Sequence, residues 1–247
     1  MKSIHHFVGL LVLAVCSNVA NTAVTVVING TRYNYADTPR LEEVLAPVAL
    51  NQPWYWPVSR LYRVDKATVE QKRTDVLSWI NRLRRERQDD GQMQLALAQV
   101  HEHITNWQLA QFIPIQIDYD QARLHRNKNP RFTQGTYILN LAPRRNTLYV
   151  SGLVAKEAVV AAPNSSQCSG HYFNDMDKLS VANRDFVFVV QPDGVIKTLN
   201  IAYWNRECHT IMLGSQMIVP FKYELFSSEL DQLNLAIVKL ATYRIIN

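Results

Sequence analysis

The chain has 247 residues, of which 47% are hydrophobic and 19% charged, and its formal net charge is +5 at pH 7. This hydrophobic content excludes a disordered chain and is enough for one or two cores of ordinary size. Basic residues are mixed with acidic ones along the chain, which excludes the Lys/Arg blocks typical of nucleic-acid-binding surfaces. No nucleic-acid partner is therefore expected.

The chain begins with the pattern of a secretory signal. Lys2 precedes an unbroken apolar run at residues 7–15, and small and polar residues follow. The run is too short for a membrane span, which needs about 20 residues, and no later run is longer. We therefore expect residues 1–23 to be a cleaved signal peptide, with a buried N-terminal helix or strand as the alternative. Cys16 could instead carry a lipid, but Val15 stands where lipoproteins have Gly or Ala, so lipidation is not expected.

The first segment after the signal is predicted to be a β-hairpin. Residues 24–35 alternate in polarity around Asn29-Gly30, a dipeptide that favours a tight two-residue turn. A short helix is predicted at residues 40–45, because a proline suited to the first helical turn precedes it and acidic residues follow.

Three aromatic residues, Trp54, Tyr55 and Trp56, then lie between two prolines. The prolines disfavour both a regular helix and a central strand, so the three rings are expected on a loop. Aromatic faces suit the apolar faces of sugar rings, which makes these residues candidates for ligand binding. The alternative is that the rings pack as a plug against the rest of the fold.

Residues 65–110 change in character, with no proline, one glycine and apolar residues at helical spacing. Two apolar stripes are separated by a helix stop at residues 88–91, which predicts an antiparallel helical hairpin. A group of arginines lies on the first of these helices and is predicted to be a solvated face: Arg82, Arg84, Arg85 and Arg87.

From residue 112 the pattern becomes β. Alternating or continuous apolar runs predict strands at residues 113–117, 135–141, 147–154, 184–191, 196–201 and 214–220. Arg123 and Tyr137 lie in this region and are candidates to contact an acidic sugar. The alternative is a surface arginine and a core tyrosine. Trp204 is expected in the core.

The chain ends in a predicted amphipathic helix that starts after Ser227 or Ser228 and continues to about Tyr243. Its apolar positions are candidates for docking on a partner protein, and packing on its own domain is the alternative. The helix has few cationic residues, which argues against strong binding to a membrane surface. The candidate docking residues are Leu230, Leu233, Ile237 and Leu240.

Removal of the signal would leave two cysteines, Cys168 and Cys208. An even pair in an exported protein predicts a disulfide. A zinc site with His171 and His209 is the first alternative, but adjacent residues such as Cys208 and His209 point apart in a strand and rarely bind one tetrahedral ion. Two free thiols are the second alternative. No metal site is predicted.

Catalytic motifs are weak. His101 and His103 are two residues apart and point to different faces of a helix, unlike the histidines of a zinc protease. Two Asp-x-Asp triplets, at residues 118–120 and 175–177, are short enough to arise by chance. The Gly-rich and nucleophile-elbow motifs of nucleotide-binding enzymes and hydrolases do not occur. We predict no catalytic residues and no cofactor.

Four segments in chain order have the pattern of a known family. They are residues 54–57, Pro130 with 135–139, 148–154, and 187–194 continuing to 202–205 and 213–216. Together they resemble the GfcC-like capsule biosynthesis proteins, the periplasmic family of group 4 capsule and exopolysaccharide export. The first is Trp-Tyr-Trp-Pro, near the paired Trp-Trp-Pro of the family, and the third is similar to the opening of a β-grasp ligand-binding repeat. The Trp-Tyr-Trp spacing and the cysteine pair depart from the family pattern.

This resemblance implies an α+β fold with two β-grasp domains, similar to the SLBB domains of Wza-type outer-membrane exporters. The first domain would comprise residues 24–64 and 111–143, with the helical hairpin at residues 65–110 inserted in it. The second would span residues 144–225, and the amphipathic helix would occupy residues 226–247.

The resemblance also implies a function: a non-enzymatic periplasmic protein of capsule or exopolysaccharide secretion. It would bind the polysaccharide, dock on the export machinery, or both, with a Wza-type outer-membrane protein as a possible partner. A periplasmic polysaccharide-modifying enzyme using Asp118 or Asp120 is one alternative. A general envelope assembly factor is the other.

Overall fold

The computed structural model describes residues 23–162, 176–206, 210–224 and 227–246. The chain folds into two α+β units, each built on a five-stranded mixed sheet. This confirms the predicted fold class. In the described parts, no helix is long and apolar enough to cross a membrane.

Some predictions concern residues outside the described ranges. These are the signal peptide with Cys16, the pairing of Cys168 with Cys208, and the second Asp-x-Asp triplet, of which Asp175 is not described. They stay predictions.

The first sheet has the strand order β2-β1-β5-β3-β4, in which β1 and β5 are parallel neighbours and every other pair is antiparallel. First and last strands side by side at the centre are the arrangement of a β-grasp sheet. The strands are β1 (Val24–Ile28), β2 (Thr31–Tyr35), β3 (Arg60–Arg63), β4 (Gln111–Ile113) and β5 (Gly135–Asn140).

The β1–β2 turn is the one predicted from Asn29-Gly30. Both residues have positive φ, 47° and 90°, as a primed hairpin turn requires. The Asn29 side chain also continues the sheet, because its amide donates to Leu141 O (2.9 Å) and its oxygen accepts from Leu141 N (2.8 Å). By contrast, the strand predicted at residues 113–117 ends at Ile113, because Pro114 has no N–H to donate.

One face of the first sheet packs on two short helices, α1 (Leu41–Leu45) and α4 (Tyr119–Leu124). Alternate residues of β1 and β5 point into this core, as the two-residue period of a strand dictates. The buried set from the two strands is Val24, Val26, Ile28, Tyr137 and Leu139.

The predicted helical hairpin is confirmed as α2 (Lys66–Glu86) and α3 (Gly91–Asn106), inserted between β3 and β4. Each helix begins at an aspartate whose side chain accepts a hydrogen bond from the first turn: Asp65 from Thr68 N and Asp90 from Met93 N. The apolar stripes of both helices pack on the core of the second unit rather than on their own sheet.

Two arginines of the group predicted to be a solvated face also bind acids of the second unit. Arg82 Nη2 lies 2.8 Å from Glu229 Oε1, and Arg87 forms a two-pronged ion pair with Glu224, with Nη2 2.7 Å from Oε2. The Arg87 guanidinium lowers the pKa of Glu224.

The second sheet repeats the first, with order β7-β6-β10-β8-β9 and β6 parallel to β10. Gly152 ends β6 with φ +89°, and a Cβ there would lie 2.4 Å from Val219 O, so only glycine allows the two central strands to approach at this point. The strands are β6 (Thr147–Gly152), β7 (Ala158–Ala161), β8 (Phe186–Val190), β9 (Ile196–Asn200) and β10 (Gln216–Val219).

The C-terminal helix α5 (Glu229–Ala241) packs on this sheet and on α2. Asn234, also buried, accepts from Phe221 N (2.9 Å) and donates to Phe221 O (3.0 Å), which fixes the helix to the end of β10. The alternative of packing on its own domain is therefore the observed one. The four candidate docking residues are at most 6% exposed: Leu230, Leu233, Ile237 and Leu240.

The prediction that Trp204 lies in the core was wrong: its side chain is 74% exposed, and the neighbouring Tyr203 is 95% exposed. The chain turns back here because Ala202 N and the Asn205 side chain both donate to Asp185 O. These backbone anchors leave the two rings pointing outward.

Candidate functional site

A cavity with a volume of about 650 Å³, which we call the first cavity, lies where the two units meet. Its floor is the face of the first sheet opposite the core. Val27 of β1 and Thr136, Ile138 and Asn140 of β5 line it. These residues alternate with the core residues of the same strands, so the two-residue period that builds the core also builds this floor.

The C-terminal tail, residues 242–246, closes one side of the first cavity. It runs antiparallel to the segment between α3 and β4, where Ala110 N donates to Tyr243 O (2.9 Å) and Ile245 N donates to Gln108 O (2.8 Å). Ile245 and the next residue line the cavity. The tail of the second unit thereby becomes part of the wall over the first sheet.

Arg244 anchors this tail. Its carbonyl accepts from the hydroxyl of Tyr62 (2.8 Å), a fully buried residue whose pKa is raised by burial. Its guanidinium lies 4.9 Å from the ring centroid of Trp107 and 3.0 Å from Glu157 Oε2. A hydrogen bond to the backbone, a cation–π contact and an ion pair therefore connect Arg244 to both units.

The opposite wall joins β3 to the second unit. Arg60, buried beside the first cavity, donates from Nη2 to Gly214 O (3.0 Å). Gly214 has φ +75°, and a Cβ there would be 3.3 Å from Val58 Cγ1. Arg145, Thr147 and further residues at the start of the second unit complete the wall.

The lining of the first cavity combines apolar floor residues with amides, hydroxyls and two guanidiniums. Among the described residues that line it, none is acidic. Such a lining can accept and donate hydrogen bonds to a polar ligand with an apolar face, and its only fixed charges are positive. Its polar members are Asn29, Arg60, Gln108, Thr136, Asn140, Arg145, Thr147 and Tyr149.

The three loop aromatics have separate environments. Trp54 packs half-buried on the first core and donates from its indole N–H to Val48 O (2.8 Å). Tyr55 lies under Arg144, whose guanidinium is 5.4 Å from the ring centroid. Trp56 also packs on the first core, and it lines a second cavity of about 330 Å³ together with other residues that precede β3. We call this the second cavity.

Arg123 and Tyr137 are not brought together at a site. Arg123 is exposed on α4, with its guanidinium 5.4 Å from the Tyr119 ring centroid. Tyr137 is 5% exposed and its hydroxyl donates to Thr133 O (3.0 Å), so the alternative of a core tyrosine is the observed one. Its neighbours on β5, not Tyr137 itself, face the first cavity.

The first Asp-x-Asp triplet has a structural role in part, because Asp118 Oδ1 accepts from Gln121 N (2.9 Å) and begins α4. His101 contacts Asn81 (3.3 Å), and His103 Nδ1 lies 3.6 Å from Glu157 Oε1. Within the described ranges, no group of three or more His, Cys, Asp or Glu is placed to hold a metal ion.

The residues that line the first cavity come from both ends and the middle of the chain, and the sequence patterns predicted none of its floor residues as site residues. The alternation in residues 135–141 could have indicated them, because every second residue of a strand points to the face of the sheet opposite the core. Which face is covered depends on the second unit and the tail, and this information is not local.

Comparison with known proteins follows the same division of the chain. The family described as "Capsule biosynthesis GfcC, N-terminal" matches residues 20–144, and "Capsule biosynthesis GfcC C-terminal" matches residues 162–246. A protein of Escherichia coli (strain K12), "Uncharacterized protein YjbG", is 33% identical over 132 residues. That match spans 53% of this chain and 53% of that protein, about half the length of each. The chain belongs to the GfcC capsule biosynthesis family.

Proposed function

We propose that this protein serves capsule or exopolysaccharide secretion in the periplasm as a non-enzymatic polysaccharide-binding protein, and that the first cavity is its binding site. Membership of the GfcC family supports a role in capsule or exopolysaccharide assembly. The observation that carries the binding role is the lining of the first cavity, with an apolar floor and a rim of hydrogen-bonding groups.

The dimensions and chemistry suit a short stretch of a sugar chain. About 650 Å³ is within the range of about 300–1,000 Å³ typical of small-molecule sites. The apolar floor suits the C–H face of a pyranose ring, and the amide and hydroxyl side chains suit its hydroxyl groups. The two arginines favour a polymer that carries carboxylates or other negative groups.

The same lining supports binding rather than cleavage. Hydrolysis of a glycosidic bond usually needs two carboxyl groups about 5 to 9.5 Å apart. No Asp or Glu is present among the described residues that line the first cavity. Asp118, the acid considered for a modifying enzyme, lies at the second cavity and uses one oxygen to begin a helix.

Two neighbouring arginines provide the binding experiment. Arg145 is exposed and lines the first cavity, whereas Arg144 lies over the Tyr55 ring and is not part of the lining. We expect Arg145→Ala to weaken binding of acidic capsule fragments about tenfold or more, because a hydrogen bond to a charged group is worth about 1.5–3 kcal/mol. Arg144→Ala is the matched control and should bind as the wild type. Equal affinity of both variants, measured by calorimetry, would contradict the site.

A gene deletion tests the cellular role. Loss of surface polysaccharide with normal lipid-linked sugar precursors is the expected phenotype, and Arg144→Ala should restore export while Arg145→Ala should not. A deletion strain with normal capsule would refute the function itself.

Docking on the export machinery is a second candidate, favoured by one observation. Tyr203 and Trp204 are 95% and 74% exposed on a single turn, and large aromatic residues at the surface are typical of interface centres. The replacement Trp204→Ser should abolish co-purification with a Wza-type outer-membrane export protein and leave the melting temperature unchanged. Co-purification that persists in the variant would exclude this surface.

A further inference from the structure

The second cavity is lined by residues of both units and has its own chemistry. Its apolar lining includes the Trp56 ring and three prolines, Pro57, Pro114 and Pro192. The first three belong to the first unit, and Pro192 begins the turn between β8 and β9 in the second. A cavity of about 330 Å³ is at the lower end of the size of small-molecule sites, which fits one ring-sized ligand.

Ser59 lines this cavity and has an unused hydroxyl. The residue is 8% exposed, and its Oγ has no hydrogen-bond partner among the described residues. A buried hydroxyl without a partner carries a desolvation penalty, so most such groups in folded proteins are paired. Oγ itself is buried in the cavity wall, so its side chain would have to rotate about χ1 to another staggered well before a ligand hydroxyl in the cavity could remove the penalty.

Two carboxylates, Asp118 and Asp193, also line the second cavity. Each uses Oδ1 for local structure: Asp118 accepts from Gln121 N (2.9 Å) and Asp193 accepts from Val195 N (3.0 Å). Each carboxylate has a second oxygen, so both retain the capacity to accept hydrogen bonds from a ligand. The site therefore favours a ligand that donates hydrogen bonds and disfavours one that carries negative charge.

We propose that the second cavity binds one pyranose unit without negative charge, stacked on Trp56, with its hydroxyls bonded to Ser59 and the free oxygens of Asp118 and Asp193. The ring supplies the apolar face that matches tryptophan and proline, and its rim supplies the donors that match the carboxylates. Among the described lining residues, the first cavity has two arginines and no acid, whereas the second cavity has two aspartates and no basic residue. The two cavities thus select opposite charges.

This inference rests on the proposed function only in that the sugar is taken to be part of the secreted polymer. Simple sugars test it independently. The full chain with ¹⁵N-labelled tryptophan is titrated with methyl glucoside, methyl glucosaminide and methyl glucuronide, and the Trp56 indole signal is assigned with Trp56→Phe. We expect a saturable shift with millimolar affinity for the first two sugars and at least threefold weaker binding of the glucuronide.

Two variants separate ligand contact from folding. Ser59→Ala should weaken binding about two- to tenfold while the melting temperature stays equal or rises, because the variant loses an unpaired buried hydroxyl. Asp118→Asn keeps a side chain that can begin α4 and should reduce the discrimination against the glucuronide. Arg145→Ala, which alters the first cavity, should leave monosaccharide binding unchanged.

Several results would overturn the proposal. These are no shift of the Trp56 signal with any of the three sugars, binding of the glucuronide as tight as that of the glucoside, or wild-type affinity in Ser59→Ala. A lower melting temperature for Ser59→Ala would mean that the hydroxyl is bonded within the protein and would equally refute it. Loss of polymer binding in Arg145→Ala with no monosaccharide binding would support the first cavity and reject the second.

Discussion

Gly152 and Gly30 form a matched pair that separates backbone strain from steric clash. Their φ angles are +89° and +90°, so an alanine is strained equally at either position. A Cβ on Gly30 would have no heavy atom within 4 Å, whereas a Cβ on Gly152 would lie 2.4 Å from Val219 O and 2.9 Å from Val219 N. The clash is with backbone atoms of β10, which cannot move without breaking the parallel pair at the centre of the second sheet.

The expected costs follow from these distances. Gly30→Ala should destabilise by about 1–2 kcal/mol, the cost of a left-handed conformation for a residue with a side chain. Gly152→Ala adds overpacking, which typically costs about a further 1–3 kcal/mol. At about 2–4 °C per kcal/mol for a chain of this size, the second variant should melt several degrees below the first.

Differential scanning calorimetry measures the melting temperatures, and hydrogen exchange of the β1 and β6 amides reports the two units separately. We expect loss of protection in β6 for Gly152→Ala and in β1 for Gly30→Ala. Equal destabilisation by the two alanines would refute the clash and leave strain as the whole effect.

Three further predictions concern the second unit. The hydrogen bond from Arg87 lowers the pKa of Glu224 below its ordinary value of 4.5, and partial burial opposes this only in part, so the pair stabilises the fold above that pH and its contribution is lost as the pH falls through the lowered value. Glu224→Gln should therefore lose less stability than the wild type between neutral pH and pH 3 in urea titrations, and parallel curves would contradict this. Asn234→Ala leaves the N–H and C=O of Phe221 unpaired in the core and should cost about 2–5 kcal/mol by urea denaturation, whereas a change below 1 kcal/mol would mean that water replaces the amide. Trp204→Ser should change stability by less than about 0.5 kcal/mol, and a larger loss would show that the ring packs on the protein.

The sequence predicted the local structure well where one period dominates. The helical stripes of residues 65–110 predicted the helical hairpin, and Asn29-Gly30 predicted the turn between β1 and β2, because both signals depend on neighbours within a few residues. Strand β3 (Arg60–Arg63) was missed, because its Arg-Leu-Tyr-Arg sequence does not alternate between polar and apolar residues and so shows no apolar face. Both faces of this strand are covered in the fold.

The candidate site was predicted less well, for a different reason. An apolar stripe or an aromatic residue indicates that a surface is covered, but not by what. The terminal helix has the amphipathic pattern of a docking helix, but it covers its own sheet. Tyr137 has a side chain of the kind that contacts sugars, but it lies in the core. The first cavity depends on contacts between residues as distant as Val27 and Ile245, which no local pattern encodes.

The inserted hairpin imposes an order on folding. Its two helices are synthesised before the sheet on which they pack, because β6 begins at Thr147 and α5 ends at Ala241. Because the chain is made from its N-terminus, the apolar stripes of α2 and α3 are complete before the second sheet, on which they pack, has been synthesised. The first sheet also needs β5, which follows the hairpin, before its centre can close. The nascent chain therefore carries an exposed apolar hairpin from the end of α3 at Asn106 until α5 is complete at Ala241, and chaperones bind surfaces of this kind. The two family halves should be recovered together rather than as separate fragments.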